Sequence, residues 1–304
     1  MHRLKRKVGI ISVAGLLLCG WLANRSQPAE TLQSSSAAVI PHKIWQTWRR
    51  PVDSLGDDEL QRFIQSWTAL NPDYRYELIT DQAAVQFVDD RFQNRPDIVD
   101  TFHRINDRIL RADYLRYLLI SSEGGIYSDI DTECTRPVYT WIPPKYQDSV
   151  RCVIGIEYDA RSSLFTEPFP DDISFCQWTF LAMPRHPVMQ HVVDLVTKKL
   201  QQHGEGSAEI VAKLSTDVGD LTGPGIFTRA VFDALPVITG EAITVANVTG
   251  LQEPKLFGDV LILPVSAFGS GQAHSGSKDW GNDEQLISHH FRMTWRTDHG
   301  EGWG

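Results

Sequence analysis

The stretch from Leu110 to Cys134, LRADYLRYLLISSEGGIYSDIDTEC, constrains this chain more than any other. It opens with a helical pattern, Leu110, Tyr114, Tyr117, Leu118 and Ile120 being apolar with Arg111, Asp113 and Arg116 between them. Gly124-Gly125 then predicts the helix stop, because glycine accepts the positive φ that ends a helix. A short β-type run, Ile126-Tyr127-Ser128, leads into Asp129-Ile130-Asp131. Residues two apart in a strand share a face, so the two carboxylates are expected to converge on one cation. Acids in that arrangement suit a hard divalent metal with oxygen ligands. A bare D-x-D is common, and by itself it reads first as a solvated turn.

The chain of 304 residues is long enough for one large α/β domain with a sizeable core. Formal net charge is -9, and Arg3, Lys5, Arg6 and Lys7 contribute +4 of it, leaving -13 on the remainder. An acidic body argues against a general nucleic-acid binder. It is compatible with a site that recruits a cation to hold an anionic substrate.

The N-terminus divides by composition. Residues 1–7 are basic and read as a cytoplasmic tail; residues 8–23 form an uncharged apolar run that suits a signal anchor in a thin early-secretory membrane. A cleaved signal peptide is the competing reading. The positive-inside rule places the body in the lumen of a single-pass type II membrane protein. Residues 24–38 are rich in Ser, Gln and Ala and read as a flexible stem, leaving 39–304 as the catalytic domain. Cys134, Cys152 and Cys176 remain in that body, with connectivity unreadable and simple burial the favoured reading. Asn247-Val248-Thr249 is an acceptor sequon that fits a lumenal location.

Along the chain, His42 to Trp48 reads as a first strand, Asp57 to Leu70 as an amphipathic helix, Tyr74 to Ile79 as a strand and Asp81 to Val88 as a helix. Ile98 to Ser122 reads as one long helix. Glu133 to Val138 and Val150 to Tyr158 read as extended, the latter ending at Glu157, a candidate for acceptor contact. Ser174 to Met183 is strand-like, and Pro187 to Gln202 is an amphipathic helix. Arg161 to Asp172 is expected to loop over the cleft. Thr222-Gly223-Pro224-Gly225 precedes a helix whose N-terminus can face an anion, although the same residues also make an ordinary turn. Val260 to Pro264 reads as a buried strand, and the Gly/Ser-rich run Phe268 to Ser277 as a mobile loop.

The arrangement R-x-D-x-x-R-x-x-x-L followed by G-G-x-Y-x-D-x-D resembles the donor-binding core of glycosyltransferase family 32, and of the large clostridial glucosylating toxins. The HKIWQTW strand, the segment W-x-x-L-N-P-D-Y-x-Y-x-L-x-T-D and the T-G-P-G-x-x-T run are similar to the fungal α-1,6-mannosyltransferase branch. The resemblance implies an α/β fold of the GT-A type, a nucleotide-sugar-binding, Rossmann-like domain with a central mixed sheet. It implies Mn²⁺ held by Asp129, Asp131 and a C-terminal histidine, with His290 the better match and His289 the alternative. Gln46, Thr47, Trp48, Asp113, Arg116, Asp129 and Trp295 would contact the donor, GDP-mannose. Asp113, Arg116, Asp129 and Asp131 would be the catalytic set. Glu157, Gly223 and Gly225 would lie on the acceptor side.

The implied reaction is retaining transfer of mannose to an N-glycan in α-1,6 linkage, at the Golgi or early secretory membrane. Alternatives are transfer to inositol-phosphoceramide, or a non-catalytic glycan-binding module on the same fold.

Overall fold

The computed structural model describes residues 39–51, 56–161, 172–212, 215–272 and 274–292. The tail, the expected anchor and the stem fall outside them, as do Trp295 and most of the Arg161–Asp172 loop. No helix among the described residues is long and apolar enough to cross a membrane.

The first two strands, β1 (Lys43–Trp48) and β2 (Arg75–Thr80), are parallel and joined through α1 (Asp58–Leu70). Asp57 caps α1, its carboxylate accepting from the Glu59 and Leu60 N–H groups, and Leu60, Phe63, Ile64 and Trp67 form the buried stripe. Thr80 ends β2 and caps α2 (Asp81–Arg91) through the Ala83 N–H.

Two helices then lie where the hydrophobic period predicts one, α3 (Pro96–Arg104) and α4 (Arg108–Glu123). The break has a cause distant in sequence. The Arg104 carbonyl and the Asn106 N–H both bond Ile210, forming an isolated parallel bridge that pulls Ile105 out of the helix. Asp107 restarts it by accepting from the Ile109 and Leu110 N–H groups.

Helix α4 is buried along most of its length, with Tyr117 stacked between Phe180 and Phe227 at centroid distances of 6.0 and 5.7 Å. It ends at Gly124-Gly125, with φ of +66° and +97°. A side chain at either position would collide with Pro184 or with the Lys43 carbonyl at 2.6 Å, so this turn requires glycine twice.

The chain then enters β3 (Gly125–Ser128), followed by β4 (Thr132–Cys134), β5 (Cys152–Asp159), β6 (Ile173–Ala182) and α5 (Pro187–His203). Next come α6 (Ser215–Leu221), α7 (Pro224–Thr239), α8 (Val245–Val248), β7 (Lys255–Phe257), β8 (Val260–Leu263), α9 (Val265–Phe268) and β9 (Ile287–His289).

The central sheet has seven strands in the order β2-β1-β3-β6-β5-β8-β7 and is mixed, with β6 antiparallel to both of its neighbours. Strands β4 and β9 form a separate antiparallel pair. The order β2-β1-β3 reverses the chain's direction of travel at the β1/β3 boundary. Open α/β sheets bind ligands in the crevice that such a reversal leaves at the carboxyl ends of the strands. Trp48 and Asp129 sit at those ends.

Cys134, Cys152 and Cys176 are all buried free thiols. The Phe268–Ser277 run is not an open loop over the cleft. Ser270 and Ser275 are fully buried, Ser275 donates to the Gly269 carbonyl, and Phe268 fills the space beside Gly155.

Candidate active site

A cavity of about 650 Å³ opens at the β1/β3 boundary. That volume is in the range of small-molecule sites. Its walls come from β1, α1, the α2 N-terminus, α4, β5, β6 and the β9 end, and Asp129 and Asp131 lie in it together.

The D-x-D segment is a tight turn rather than a strand end. The Asp129 carbonyl accepts from the Thr132 N–H and hydroxyl, and the Asp129 N–H donates to Trp178. Ile130 anchors the turn among Leu60, Phe63 and Ile64. The carboxylates converge through this fold of the backbone and not through strand alternation.

Strand β9 runs antiparallel to β4 and places His289 opposite Thr132. His289 Nε2 is 3.3 Å from Asp131 Oδ1, and ligand atoms of Asp129, Asp131 and His289 all lie within 4.8 Å of one another. The next residue faces away. His290 stacks on Phe63 at 4.3 Å and approaches Glu133 Oε2 at 3.3 Å. The histidine at the two aspartates is therefore His289 and not His290, because alternation about the β9 end turns the second ring to the opposite side. Two carboxylates and one imidazole suit a divalent metal of intermediate hardness. Burial pushes the Asp131 carboxyl up, but the hydrogen bond and charge of His289, with the Arg292 N–H, outweigh it and hold it below the usual range.

Behind the turn lies an ionic floor. Arg116 Nη2 reaches Asp113 Oδ1 at 2.9 Å and Asp129 Oδ1 at 3.1 Å, and Nη1 bonds the Gln177 side chain. The Thr222 hydroxyl donates to Asp113 Oδ2 at 2.9 Å, and the Tyr127 hydroxyl donates to Asp129 Oδ1 at 2.7 Å. Burial pushes Asp113 up to about 6 against the pull of Arg116. It also raises Asp129, with Asp131 adding to the rise and Arg116 opposing it. Glu157 accepts from the Trp178 indole at 2.9 Å, while its other oxygen has no hydrogen-bond partner; burial lifts this carboxyl to about 7. Trp178 in turn packs against His289, with ring centroids 4.3 Å apart.

Residues 57–148 match the sequence profile described as a glycosyltransferase sugar-binding region containing the DXD motif. The chain thus carries a segment similar to the sugar-binding region of DXD-containing glycosyltransferases. It is 34% identical to the initiation-specific alpha-1,6-mannosyltransferase of Schizosaccharomyces pombe over 86% of this chain and 65% of that protein. It thus spans just under two thirds of that relative's length. The protein of the same name from Candida albicans is 29% identical over 90% of this chain and 77% of its own. Among solved structures, PaToxG glycosyltransferase is similar with a TM-score of 0.45 and 19% identity, covering 68% of this chain and 73% of that one.

Within this cleft the expected residues separate. Thr47, Trp48, Asp113, Arg116, Asp129, Asp131, Glu157 and Gly223 all line the cavity. Gln46 does not. It is fully buried, its amide donating to the Asp129 carbonyl and accepting from the Tyr76 hydroxyl, so it holds the turn rather than facing a ligand. Gly225 lies off the cavity, one position into α7 behind Gly223 and Pro224. The Arg116 fork, expected at the donor, is engaged with Asp113, Asp129 and Gln177. Gln177 itself went unseen in the sequence. Its only signal there is a lone amide inside the apolar run ISFCQWTFLA.

Proposed function

We propose that this protein transfers mannose from GDP-mannose to an N-glycan in α-1,6 linkage, with retention of configuration and dependence on Mn²⁺. The convergence of Asp129, Asp131 and His289 in the wall of the cavity carries this reading. Those three residues would hold Mn²⁺, which supplies Lewis-acid neutralisation of the diphosphate leaving group. Arg116 fixes Asp113 and Asp129 in one orientation, so both acids are positioned before a donor arrives.

Asp113 and Gln177 offer carboxyl and amide groups to sugar hydroxyls. Glu157 offers its unpartnered oxygen on the acceptor side. Departure of the diphosphate and attack from the same face account for retention. In the cell, the apolar run at residues 8–23 would anchor the chain in the Golgi or early secretory membrane with the catalytic body in the lumen.

The test is transfer by the full-length protein from GDP-mannose to a high-mannose N-glycan with Mn²⁺ present, followed by mass spectrometry and linkage-specific mannosidase digestion. The expected product carries one added α-1,6 hexose, and excess chelator abolishes it. Transfer that persists in chelator, or a strict preference for another nucleotide sugar, refutes the proposal. Transfer to inositol-phosphoceramide but not to the glycan would keep the chemistry and change the acceptor.

A further inference from the structure

Asp129, Asp131 and His289 lie in the cavity beside the β3 end. The other side of the cavity is walled by Ile79, Ala84, Phe102 and Leu115, and of the two carboxylates on that side Asp107 is engaged in capping α4, which leaves Asp81. Strands β2 and β3 flank β1, with Thr80 level with Trp48 and Ser128 two residues back along β1, so the two strand ends are roughly 12 Å apart. That is the span of a nucleotide from base to diphosphate. Asp81 is the first residue of α2, immediately after the Thr80 cap. Burial pushes its carboxyl up to about 6, and the positive charges of Arg111, Arg108 and Arg49 only partly offset this.

We infer that Asp81 is the residue that selects guanine, its two carboxylate oxygens accepting from the N1–H and the 2-amino group of the base. The inference rests on the donor reading above and deepens it. An ionised carboxylate only accepts hydrogen bonds. Guanine alone among the common bases presents two adjacent donors on its Watson–Crick edge. Uracil presents one N–H between two carbonyls, which repel a carboxylate, and adenine and cytosine each pair one amino group with a ring acceptor. The apolar walls do not distinguish one base from another, so selection falls to Asp81, the carboxylate on that side not engaged in a helix cap. A purely structural role is the competing account, since an acid in the first turn of a helix also favours the helix dipole.

The experiment is calorimetric titration of the full-length protein with GDP, IDP, UDP and ADP in Mn²⁺, for the wild type and for Asp81→Asn. IDP differs from GDP only in lacking the 2-amino group. The wild type should bind GDP about 10- to 100-fold more tightly than IDP, UDP or ADP. Asp81→Asn should collapse the GDP/IDP ratio toward one while leaving UDP and ADP binding unchanged.

A ratio that survives the substitution overturns the assignment, as does a wild type without base preference; the metal–diphosphate site stands in either case. If no nucleoside diphosphate binds, the donor reading fails with it. A helix-dipole role would lower the melting midpoint and weaken every nucleotide alike, which also overturns the assignment. Should Asp81→Asn fail to fold, the wild-type GDP/IDP ratio decides alone, because a ratio near one excludes a contact to the 2-amino group.

Discussion

Replacing Glu157 with glutamine should stabilise the protein at neutral pH, although it removes a residue from the floor of the cavity. The Glu157 carboxyl is 5% exposed and accepts only from the Trp178 indole through one oxygen. Burial raises it from 4.5 to about 7, with Trp178, His289 and Arg116 opposing and Asp129 adding to the rise. The folded state therefore keeps a proton that the unfolded chain releases between those two values. Stability contributed at this site falls as pH climbs through that window and is level on either side of it.

At about 1.4 kcal/mol per tenfold change in proton activity, the full penalty above pH 7 is about 3 kcal/mol. Glutamine preserves the acceptor for Trp178 and never ionises, so the variant escapes the penalty. Urea denaturation in chelator, run at intervals from pH 4.5 to 8, should show the difference between variant and wild type growing by about 3 kcal/mol in favour of Glu157→Gln. Asp113 titrates in both proteins and cancels in the difference. A difference that stays flat with pH would mean the carboxyl is ionised throughout, and the account of a dry cavity floor would be wrong.

The two histidines separate cleanly by substitution. His289→Ala should weaken Mn²⁺ binding by at least about 100-fold and abolish transfer. His290→Ala should cost its stack on Phe63 and its contact with Glu133, about 1 kcal/mol of stability, and retain activity; Mn²⁺ titration followed by a transfer assay reads both. Gly125→Ala should destabilise by about 1–3 kcal/mol through backbone strain alone, with the Lys43 carbonyl at 2.6 Å adding to it. Its melting midpoint in differential scanning calorimetry should fall accordingly.

Local chemistry made most of the fold legible. The α1 stripe of Leu60, Phe63, Ile64 and Trp67 has helical spacing, Thr80-Asp81 has the signature of a cap, and Gly124-Gly125 demands a turn that no other pair of residues makes without collision. The α3–α4 break was hidden because its cause is Ile210, about a hundred positions away, while the apolar pattern from Ile98 onward continues without interruption. The Gly/Ser composition of Phe268–Ser277 suggested mobility. Small hydroxyl side chains serve equally well to pack a segment tightly, and here Ser270, Ser275 and Ser277 bond within the segment or to its neighbours.

The site shows the same division between near and far. Asp113, Arg116, Asp129 and Asp131 are readable because one continuous stretch delivers all four, and its glycines fix where the helix stops. The choice between His289 and His290 is a matter of register. It is set by which residue of β9 stands opposite Thr132, and a pairing across more than 150 positions leaves no trace in either neighbourhood. Glu157 was expected at a strand end as a candidate for acceptor contact. Its burial follows from Trp178 on the adjacent strand, whose indole covers one carboxylate oxygen while its ring packs on His289. Trp178 thus ties His289 to Glu157. A substitution that loosens that indole should therefore disturb both ends of the reaction, whereas substitutions at Gln46 should act only through the turn that presents Asp129.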